Sequence, residues 1–453
     1  MSGPTRFSQF RSALRHIRDG ETIGRVVALG SLELQAAGLG GDAKMGAHVL
    51  VAGHMRGEVV GMREGHVAVL PFGTWEGVSY GDEVRLLESD GAVHPDASWL
   101  GRAVDAFGAP LDDAPLIEGA RPYPVRADPP GAFGRRVMGD KLETGIKGVD
   151  VFTPICRGQR LAVLAGSGVG KSTLMAMLAR QTDADVIVIG LIGERGREVR
   201  DFISRDLGPE GMARSVVVVA TSDQPPLTRR QAAWTATAVA EFFRDQGRQV
   251  LLVLDSVTRF AMAQREIGLA AGEPPTTRGY TPSVFSELPR LLERSGPGHE
   301  AGGSGDITAV YTVLVDGDDL NEPIADNVRG ILDGHVVLDR KIAETGRYPA
   351  INIARSISRA LPRCHLPAER SIMNKARRAM ARHGEIEDLV RIGAYRIGSD
   401  SDSDAAIAFA ASAERFLSQD IGESLSSEEA FATLYGLLIE AGYKITQEEL
   451  AGG

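Results

Sequence analysis

The hydrophobic positions of the chain follow three patterns in turn, and the first of them predicts short β-strands. From residue 21 to about residue 89, short apolar segments are interrupted by glycine. Segments of this length and spacing are typical of a small closed or nearly closed β-barrel. The predicted strands are Ile23–Leu29, His48–Val51, Glu58–Met62, His66–Leu70 and Glu83–Leu87.

The second pattern alternates apolar runs with helical stretches and predicts a mostly parallel sheet with helices on both faces. Ser172–Gln181 and Gln231–Gln246 are the clearest of these helical stretches. Alternation of this kind defines the α/β fold class. Residues 121–135, rich in proline, glycine and arginine, are expected to form an irregular connection. The expected buried strands are Arg160–Leu164, Val186–Ile189, Ser215–Val219, Val250–Leu254 and Thr308–Val315.

The third pattern, after Leu361, lacks strand signals and predicts a C-terminal helical domain. The expected helices are Ala368–Arg382, Glu385–Tyr395, Asp404–Leu417 and Glu428–Ala441. We therefore expect a β-barrel domain over residues 21–95, a nucleotide-binding domain over 96–360 and a helical domain over 361–453.

Residues 1–20 form a separate segment with the pattern of a short basic amphipathic helix. Phe7, Phe10, Leu14 and Ile17 recur at helical intervals among basic side chains. Two interpretations stay open at this point. The segment either folds back on the body or frays, or it docks a regulatory partner or an anionic membrane surface.

The composition of the chain excludes several kinds of partner and site. The formal net charge is −10, which argues against nucleic acid as the main partner because phosphate binding requires clustered Lys and Arg. Cys156 and Cys364 are far apart in sequence and lack metal-ligand spacing, so neither a disulfide framework nor a zinc site is expected, and both are interpreted as small buried hydrophobes. With no signal peptide or membrane-spanning run recognised, a cytoplasmic protein is expected.

The strongest chemical signal is a phosphate-binding loop that follows a buried strand and opens a helix. The sequence is Ala165-Gly166-Ser167-Gly168-Val169-Gly170-Lys171-Ser172. Its glycines permit backbone angles that turn N–H groups toward phosphate oxygens, and Lys171 is expected to neutralise the β- and γ-phosphates. The expected nucleotide contacts from this loop are Gly166, Ser167, Gly168, Val169, Gly170, Lys171, Ser172 and Thr173.

Two carboxylates complete the predicted centre for ATP hydrolysis. Asp255 ends a buried strand, and parallel strands place such an acid beside the loop. Asp255 and the Ser172 hydroxyl are therefore the expected Mg²⁺ ligands, with Asp255 acting directly or through water. Glu194 is the candidate that polarises the attacking water, and Arg195 is a candidate for binding the γ-phosphate.

Two motifs make the chain resemble the catalytic subunits of the rotary ATP synthases and their relatives. They are Gly193-Glu194-Arg195 after the phosphate loop and the signature from Pro349 to Ser358. The resemblance implies that Glu194 activates water, that Tyr348 stacks on adenine, and that Arg359 is an arginine finger given to the neighbouring subunit. Since this one chain carries all of these residues, it implies a ring of identical copies, a homohexamer.

Further motifs look like the flagellar and virulence export ATPases more than any synthase subunit. They are Thr221–Pro226, Gly272–Phe285, Asp316–Asp326 and Asp333–Leu338. The resemblance implies ATP-driven flagellar type III protein export, with export substrates and their chaperones as partners, a stator-like regulatory partner on the N-terminal helix, and peripheral contact with the membrane export apparatus. The alternatives are a virulence secretion ATPase, a proton-coupled synthase subunit, and an RNA helicase resembling the transcription terminator Rho.

Overall fold

The computed structural model describes residues 22–449, except 31, 64, 88–90, 113, 301, 302, 316, 318, 447 and 448. The amphipathic helix predicted over residues 1–20 lies outside the described residues.

The N-terminal domain is a closed barrel of six antiparallel strands in the order β1-β2-β5-β4-β3-β6. Exposed and buried positions alternate over the first four residues of β1, as expected for a strand with one face toward the barrel core. The sequence did not predict β2, a four-residue strand with the sequence Leu34-Gln35-Ala36-Ala37. The strands are β1 (Ile23–Leu29), β2 (Leu34–Ala37), β3 (His48–Val51), β4 (Met55–Arg63), β5 (His66–Pro71) and β6 (Glu83–Leu86).

The central domain is built on an eight-stranded sheet in the order β18-β17-β12-β16-β15-β13-β14-β8. All neighbouring pairs are parallel except β17 with β18, so the predicted α/β fold class is confirmed. The remaining strands are β7 (Ala92–Val93), β8 (Arg102–Val104), β9 (Tyr123–Pro124), β10 (Lys141–Leu142), β11 (Ile155–Cys156), β12 (Arg160–Ala165), β13 (Val186–Glu194), β14 (Ser215–Thr221), β15 (Val250–Asp255), β16 (Ile307–Leu314), β17 (Gly334–Leu338) and β18 (Ile357–Ser358).

Two hydrophobic cores cover the two faces of this sheet. One core includes α5 to α8, and the other includes α1, α2 and the C-terminal helices. No helix in the described part of the chain is long and apolar enough to cross a membrane. The helices are α1 (Lys147–Phe152), α2 (Lys171–Gln181), α3 (Gly196–Asp201), α4 (Gly208–Ala213), α5 (Pro226–Asp245), α6 (Val257–Ala270), α7 (Pro282–Leu292), α8 (Pro323–Ile331), α9 (Arg340–Glu344), α10 (Pro367–Arg391), α11 (Ser401–Leu417) and α12 (Ser427–Glu440).

One prediction for the C-terminal domain was wrong. The two helices expected over Ala368–Arg382 and Glu385–Tyr395 form a single helix, α10. Gly384 lies inside it, since one glycine weakens a helix by only about 1 kcal/mol and does not by itself end it. The helix ends before Gly393, whose φ of 71° belongs to the left-handed region that terminates helices.

A buried ion pair joins the barrel to the nucleotide-binding domain. Glu58 on β4 pairs with Arg230 on α5, and both side chains are only 3% exposed. Arg126 adds a second cation at Glu58, 3.3 Å away. The guanidinium groups of Arg126 and Arg230 each lie 4.5 Å from the centroid of the Trp234 ring. The cluster therefore fixes the barrel on the domain that holds the phosphate loop.

Candidate active site

The phosphate loop connects the carboxyl end of β12 to the start of α2. Ala165 is the last residue of the strand, and Lys171 is the first of the helix. Gly168 and Gly170 have φ values of 77° and 93°, a conformation that L side chains rarely adopt. Ser167 and Gly168 are exposed, so the loop presents its backbone to a ligand at the positive end of the helix.

Lys171 meets both predicted carboxylates. Its ammonium forms a short ion pair with Asp255 and lies 3.5 Å from Glu194 Oε1. The two acids come from the ends of β15 and β13, as expected for parallel strands that end at one edge. Thr312 on β16 donates its hydroxyl to Asp255 Oδ1 at 2.6 Å, a contact that the sequence did not indicate.

Electrostatics adapt Glu194 to accept a proton. Burial raises the pKa of its carboxyl, the neighbouring Asp255 raises it further, and the Lys171 ammonium opposes both effects. A carboxylate with a raised pKa is a stronger base at neutral pH. Glu194 is also only partly buried, so a water molecule can reach it.

Two arginines near Glu194 differ in position. Arg195 is 81% exposed on its side chain and pairs with Glu198 at 3.4 Å, so in this chain it does not join Lys171. Arg259, in the first turn of α6, packs against Gly193: a Cβ built on Gly193 would be 2.9 Å from the Cβ of Arg259. Its Nη1 lies 3.5 Å from the Met262 sulfur. The Arg259 Nε is buried with no hydrogen-bond partner among the described residues. The sequence could have indicated Arg259, because this residue lies in the helix that follows Asp255.

The residues present fit Mg²⁺ held together with nucleotide phosphates. The described residues contain no cluster of three or more His, Cys, Asp or Glu able to hold a metal alone. Mg²⁺ characteristically takes one or two protein oxygens together with phosphates and waters. The exposed Ser172 hydroxyl and the Asp255 carboxylate supply such oxygens beside the loop.

Tyr348 lies at the other side of the loop. A Cβ built on Gly170 would be 3.3 Å from the ring atoms Cδ1 and Cε1 of Tyr348. The ring is 40% exposed, and the Tyr348 carbonyl accepts a hydrogen bond from the Gln419 backbone N–H at 2.8 Å. Arg340, which the sequence did not single out, donates to the Ser167 carbonyl at 3.1 Å.

Arg359 lies at the opposite end of the sheet from the loop. Its N–H donates to the Asp333 carbonyl, just before β17 begins, whereas Leu338 at the end of β17 pairs with Ala165. The length of β17 separates the two ends by roughly 13 Å, at ~3.3 Å per residue. The exposed side chain of Arg359 makes no ion pair or hydrogen bond with any residue that the structure describes.

Two family models match successive parts of the chain. A family model described as "ATP synthase alpha/beta family, nucleotide-binding domain" matches residues 145–358. A second, described as "T3SS EscN ATPase C-terminal domain", matches residues 366–435. The first match contains the loop, both carboxylates, Tyr348 and the signature before Arg359.

Curated relatives and a solved structure extend over most of the chain. A flagellum-specific ATP synthase of Caulobacter vibrioides is 52% identical, with 93% of this chain and 96% of the relative covered. A type 3 secretion system ATPase of Xanthomonas euvesicatoria is 47% identical, with 85% and 86% covered. The assembled ATPase EscN of enteropathogenic E. coli, solved in complex with its central stalk EscO, is similar with a TM-score of 0.84 at 37% identity, covering 92% of this chain and all of that one. The chain therefore belongs to the family of flagellum-specific ATP synthases and type III secretion ATPases, and is an ATP-hydrolysing enzyme of the ATP synthase α/β type.

Proposed function

We propose that this protein is a homohexameric ATPase whose sites are completed by neighbouring copies and whose hydrolysis drives flagellar type III protein export. The observation that carries the proposal is the location of Arg359. It lies at the sheet edge away from its own phosphate loop, exposed and without a described partner. An arginine used in its own site would have to cross the length of β17, whereas a head-to-tail neighbour brings one edge to the other.

The chemistry follows from Lys171 and Glu194. Lys171 holds the β- and γ-phosphate oxygens, which replace the carboxylates as acceptors of its N–H donors. Glu194 accepts a hydrogen bond from the attacking water, whose oxygen forms a bond to the γ-phosphorus while the bond to the β,γ-bridging oxygen breaks. Arg359 of the neighbouring copy and Arg259 stabilise the charge that spreads over the γ-phosphoryl oxygens.

Magnesium is the proposed cofactor. When bound to the nucleotide, it neutralises phosphate charge, and Ser172 and Asp255 are the side chains placed to hold it. Asp255 keeps its orientation through Thr312 Oγ1. The family membership supports a nucleotide–magnesium substrate, and hydrolysis measured with and without MgCl₂ tests it directly.

We assign adenine to the face of Tyr348. The ring lies beside the glycine that leads into α2, and its partial exposure leaves a face for a base. A flat aromatic ring can stack on a base without a fixed set of polar contacts.

The C-terminal domain carries an exposed apolar surface that suits a stalk partner. Val390, Ile392 and Ile397, at the end of α10 and in the turn beyond it, are 38%, 71% and 86% exposed. These three exposed apolar side chains lie within eight residues of each other in sequence and are our candidates for a protein contact, and EscN was solved with its central stalk EscO. Ile392→Asp is expected to abolish binding of such a partner while leaving intrinsic hydrolysis intact; unchanged binding would refute the assignment.

The remaining partners are proposed from the resemblance to the flagellar and virulence export ATPases. They are a stator-like regulatory protein on residues 1–20, export substrates with their chaperones, and the membrane export apparatus. Truncation of residues 1–20 should preserve intrinsic hydrolysis and eliminate regulatory-partner binding. If the truncated protein still binds that partner, the docking role of this segment is wrong.

Affinity isolation with the full chain as bait distinguishes the flagellar from the virulence system. The flagellar interpretation predicts flagellar export components among the bound proteins identified by mass spectrometry. Recovery of virulence secretion components instead would overturn it, and an equal amount of a different phosphate-loop subunit would indicate a synthase. Size analysis of the purified protein with nucleotide tests the ring: full activity in an obligate monomer would contradict the shared site.

A further inference from the structure

The fold brings together the two cysteines that lie far apart in the sequence. Cys156 is on β11, immediately before the strand that leads to the phosphate loop, and Cys364 lies in the turn before α10. Both are free thiols, and they lie close enough for each to perturb the ionisation of the other. The sequence predicted two small buried hydrophobic residues. It did not predict that these two cysteines are neighbours in the fold.

Hydrogen bonds hold the two segments in this position. The Ser358 hydroxyl donates to the Pro154 carbonyl at 2.6 Å and accepts from Gln159 Nε2 at 3.0 Å. On the other side of Cys364, His365 Nε2 lies 2.9 Å from the Val151 carbonyl. Three contacts that flank both thiols hold the two segments side by side in the packed fold.

A lysine ammonium lies beside the thiol pair. Lys141 is directly opposite Cys156 in the β10–β11 ladder, so the two side chains emerge on one face. Its Nζ is buried with no hydrogen-bond partner among the described residues and lies 5.3 Å from the centroid of the Phe431 ring. A positive charge so placed stabilises a neighbouring thiolate.

The two thiols are inequivalent. The neighbouring Cys156 thiol lowers the pKa of Cys364, Lys141 lowers it further, and burial opposes both effects. The neighbouring Cys364 thiol and burial both raise the pKa of Cys156. Cys156 is 4% exposed and Cys364 is half-buried. Cys364 is therefore the thiol that an oxidant meets first and that ionises first.

We propose that Cys156 and Cys364 are a redox modification site that closes to a disulfide when the protein meets a peroxide. The Cys364 thiolate attacks one peroxide oxygen, the O–O bond breaks, and a sulfenic acid and hydroxide form. The Cys156 sulfur then attacks the Cys364 sulfur, releasing the sulfenic oxygen as hydroxide, while the Cys156 proton goes to solvent. In total, two thiols and one hydrogen peroxide give one disulfide and two waters.

The disulfide would tie two functional segments together. Cys156 precedes β12 and the loop that it carries, and Cys364 follows Arg359 by one short turn. Closing the bond fixes the Arg359 segment to the body of its own subunit. If that segment shifts during each turnover, oxidation lowers kcat; this consequence rests on the proposed function, whereas formation of the disulfide does not.

The test treats the full-length protein with hydrogen peroxide, blocks remaining thiols with iodoacetamide and analyses it by mass spectrometry. We expect a linked Cys156–Cys364 peptide, a mass lower by two hydrogens, loss of both alkylation sites, and full reversal by dithiothreitol. Lys141→Met should slow the reaction several-fold because less thiolate is present. Two alkylated cysteines after exposure, or Cys364 oxidised to sulfinic acid without a linked peptide, would overturn the proposal.

A second part of the experiment measures the rate of ATP hydrolysis before and after oxidation. The wild-type rate should fall and recover on reduction, whereas Cys156→Ser and Cys364→Ser should not respond. A linked peptide with an unchanged rate would keep the modification site and reject only the coupling to Arg359. Should a serine variant fail to fold, the time course of linkage and rate in the wild-type protein gives the same comparison.

Discussion

The ring of Tyr348 lies against Gly170, the last glycine of the phosphate loop, 3.3 Å from the position that a Cβ would occupy. The two residues are remote in sequence, and the sheet brings them together because β17 pairs with β12. One side of the loop therefore presents its backbone, while the other meets an aromatic face. In the proposed function, phosphates bind on the first side and the base binds on the second.

Replacing Tyr348 tests the base-binding end. Tyr348→Ala should raise the KM for ATP about tenfold with little change in kcat, since stacking of a base on an aromatic ring contributes ~1–3 kcal/mol. Tyr348→Phe is the matched control and should bind almost normally, because the ring is retained. Steady-state kinetics distinguish them; equal effects of the two substitutions would reject stacking.

Replacing Glu194 tests the catalytic end. Glu194→Gln should reduce kcat on the order of 10²–10⁴-fold, the contribution of a positioned general base. Nucleotide affinity, measured by titration calorimetry, should survive because Lys171 and the loop are unchanged. Weak binding together with normal turnover of the bound fraction would mean that Glu194 is structural.

The pH dependence of kcat reports the environment of Glu194. Burial and Asp255 raise the pKa of this carboxyl, and only its ionised form accepts a proton. Activity should therefore fall on the acid side with a midpoint above that of an ordinary glutamate, about 4.3. A kcat profile that stays flat down to that pH would contradict the assignment.

Much of this site could be predicted from sequence because its residues follow strand ends. Lys171, Glu194 and Asp255 converge since parallel strands finish at one edge. Arg195 illustrates what such reasoning misses: the pattern places it next to Glu194, but its side chain points to solvent and pairs with Glu198. The contact of Thr312 with Asp255 depends on three-dimensional packing, which a strand-end rule does not encode.

Asp150 predicts a distinct pH dependence of stability. This carboxyl is fully buried, accepts hydrogen bonds from Thr144, and burial raises its pKa to about 7 from 3.8. Between these values the folded protein holds a proton that the unfolded chain releases. The stability that Asp150 contributes is therefore present at low pH and lost as pH rises toward 7.

The Asp150→Asn variant isolates this effect because asparagine does not titrate. The melting temperature of the wild-type protein should decrease more than that of the variant between about pH 5 and about pH 8. Thermal unfolding at several pH values measures the difference. Parallel curves would show that Asp150 is ionised in the fold throughout the range.

The buried pair of Glu58 and Arg230 predicts a large cost for its disruption. Glu58→Ala leaves the Arg230 charge buried without its carboxylate, which should destabilise the protein by ~3–5 kcal/mol. The matched control is Asp128→Ala, which breaks an exposed pair with Arg290 and should change stability by less than about 1 kcal/mol. Denaturant unfolding compares them, and similar effects would show that the junction is not held by this pair.

The barrel and the helical domain show how much of the fold the hydrophobic patterns predicted. Alternation predicted five of the six barrel strands, but not β2, whose four residues include no β-branched or aromatic side chain. The predicted gap between Arg382 and Glu385 was wrong, because packing of Ile372, Ala376 and Ile386 into or beside the core sustains α10 through Gly384. Tertiary contacts outweighed local preference in both places.

The central claim, that each site is shared between two copies, is tested by mixing two inactive variants. Arg359→Ala should reduce kcat by about 10³-fold with nucleotide binding retained, and Glu194→Gln should be inactive for a different reason. When they are mixed in equal amounts and allowed to assemble, roughly a quarter of random interfaces combine an intact Glu194 with an intact Arg359. We predict recovery of a corresponding fraction of wild-type hydrolysis; mixed rings that form but show no activity at any ratio would contradict the shared site.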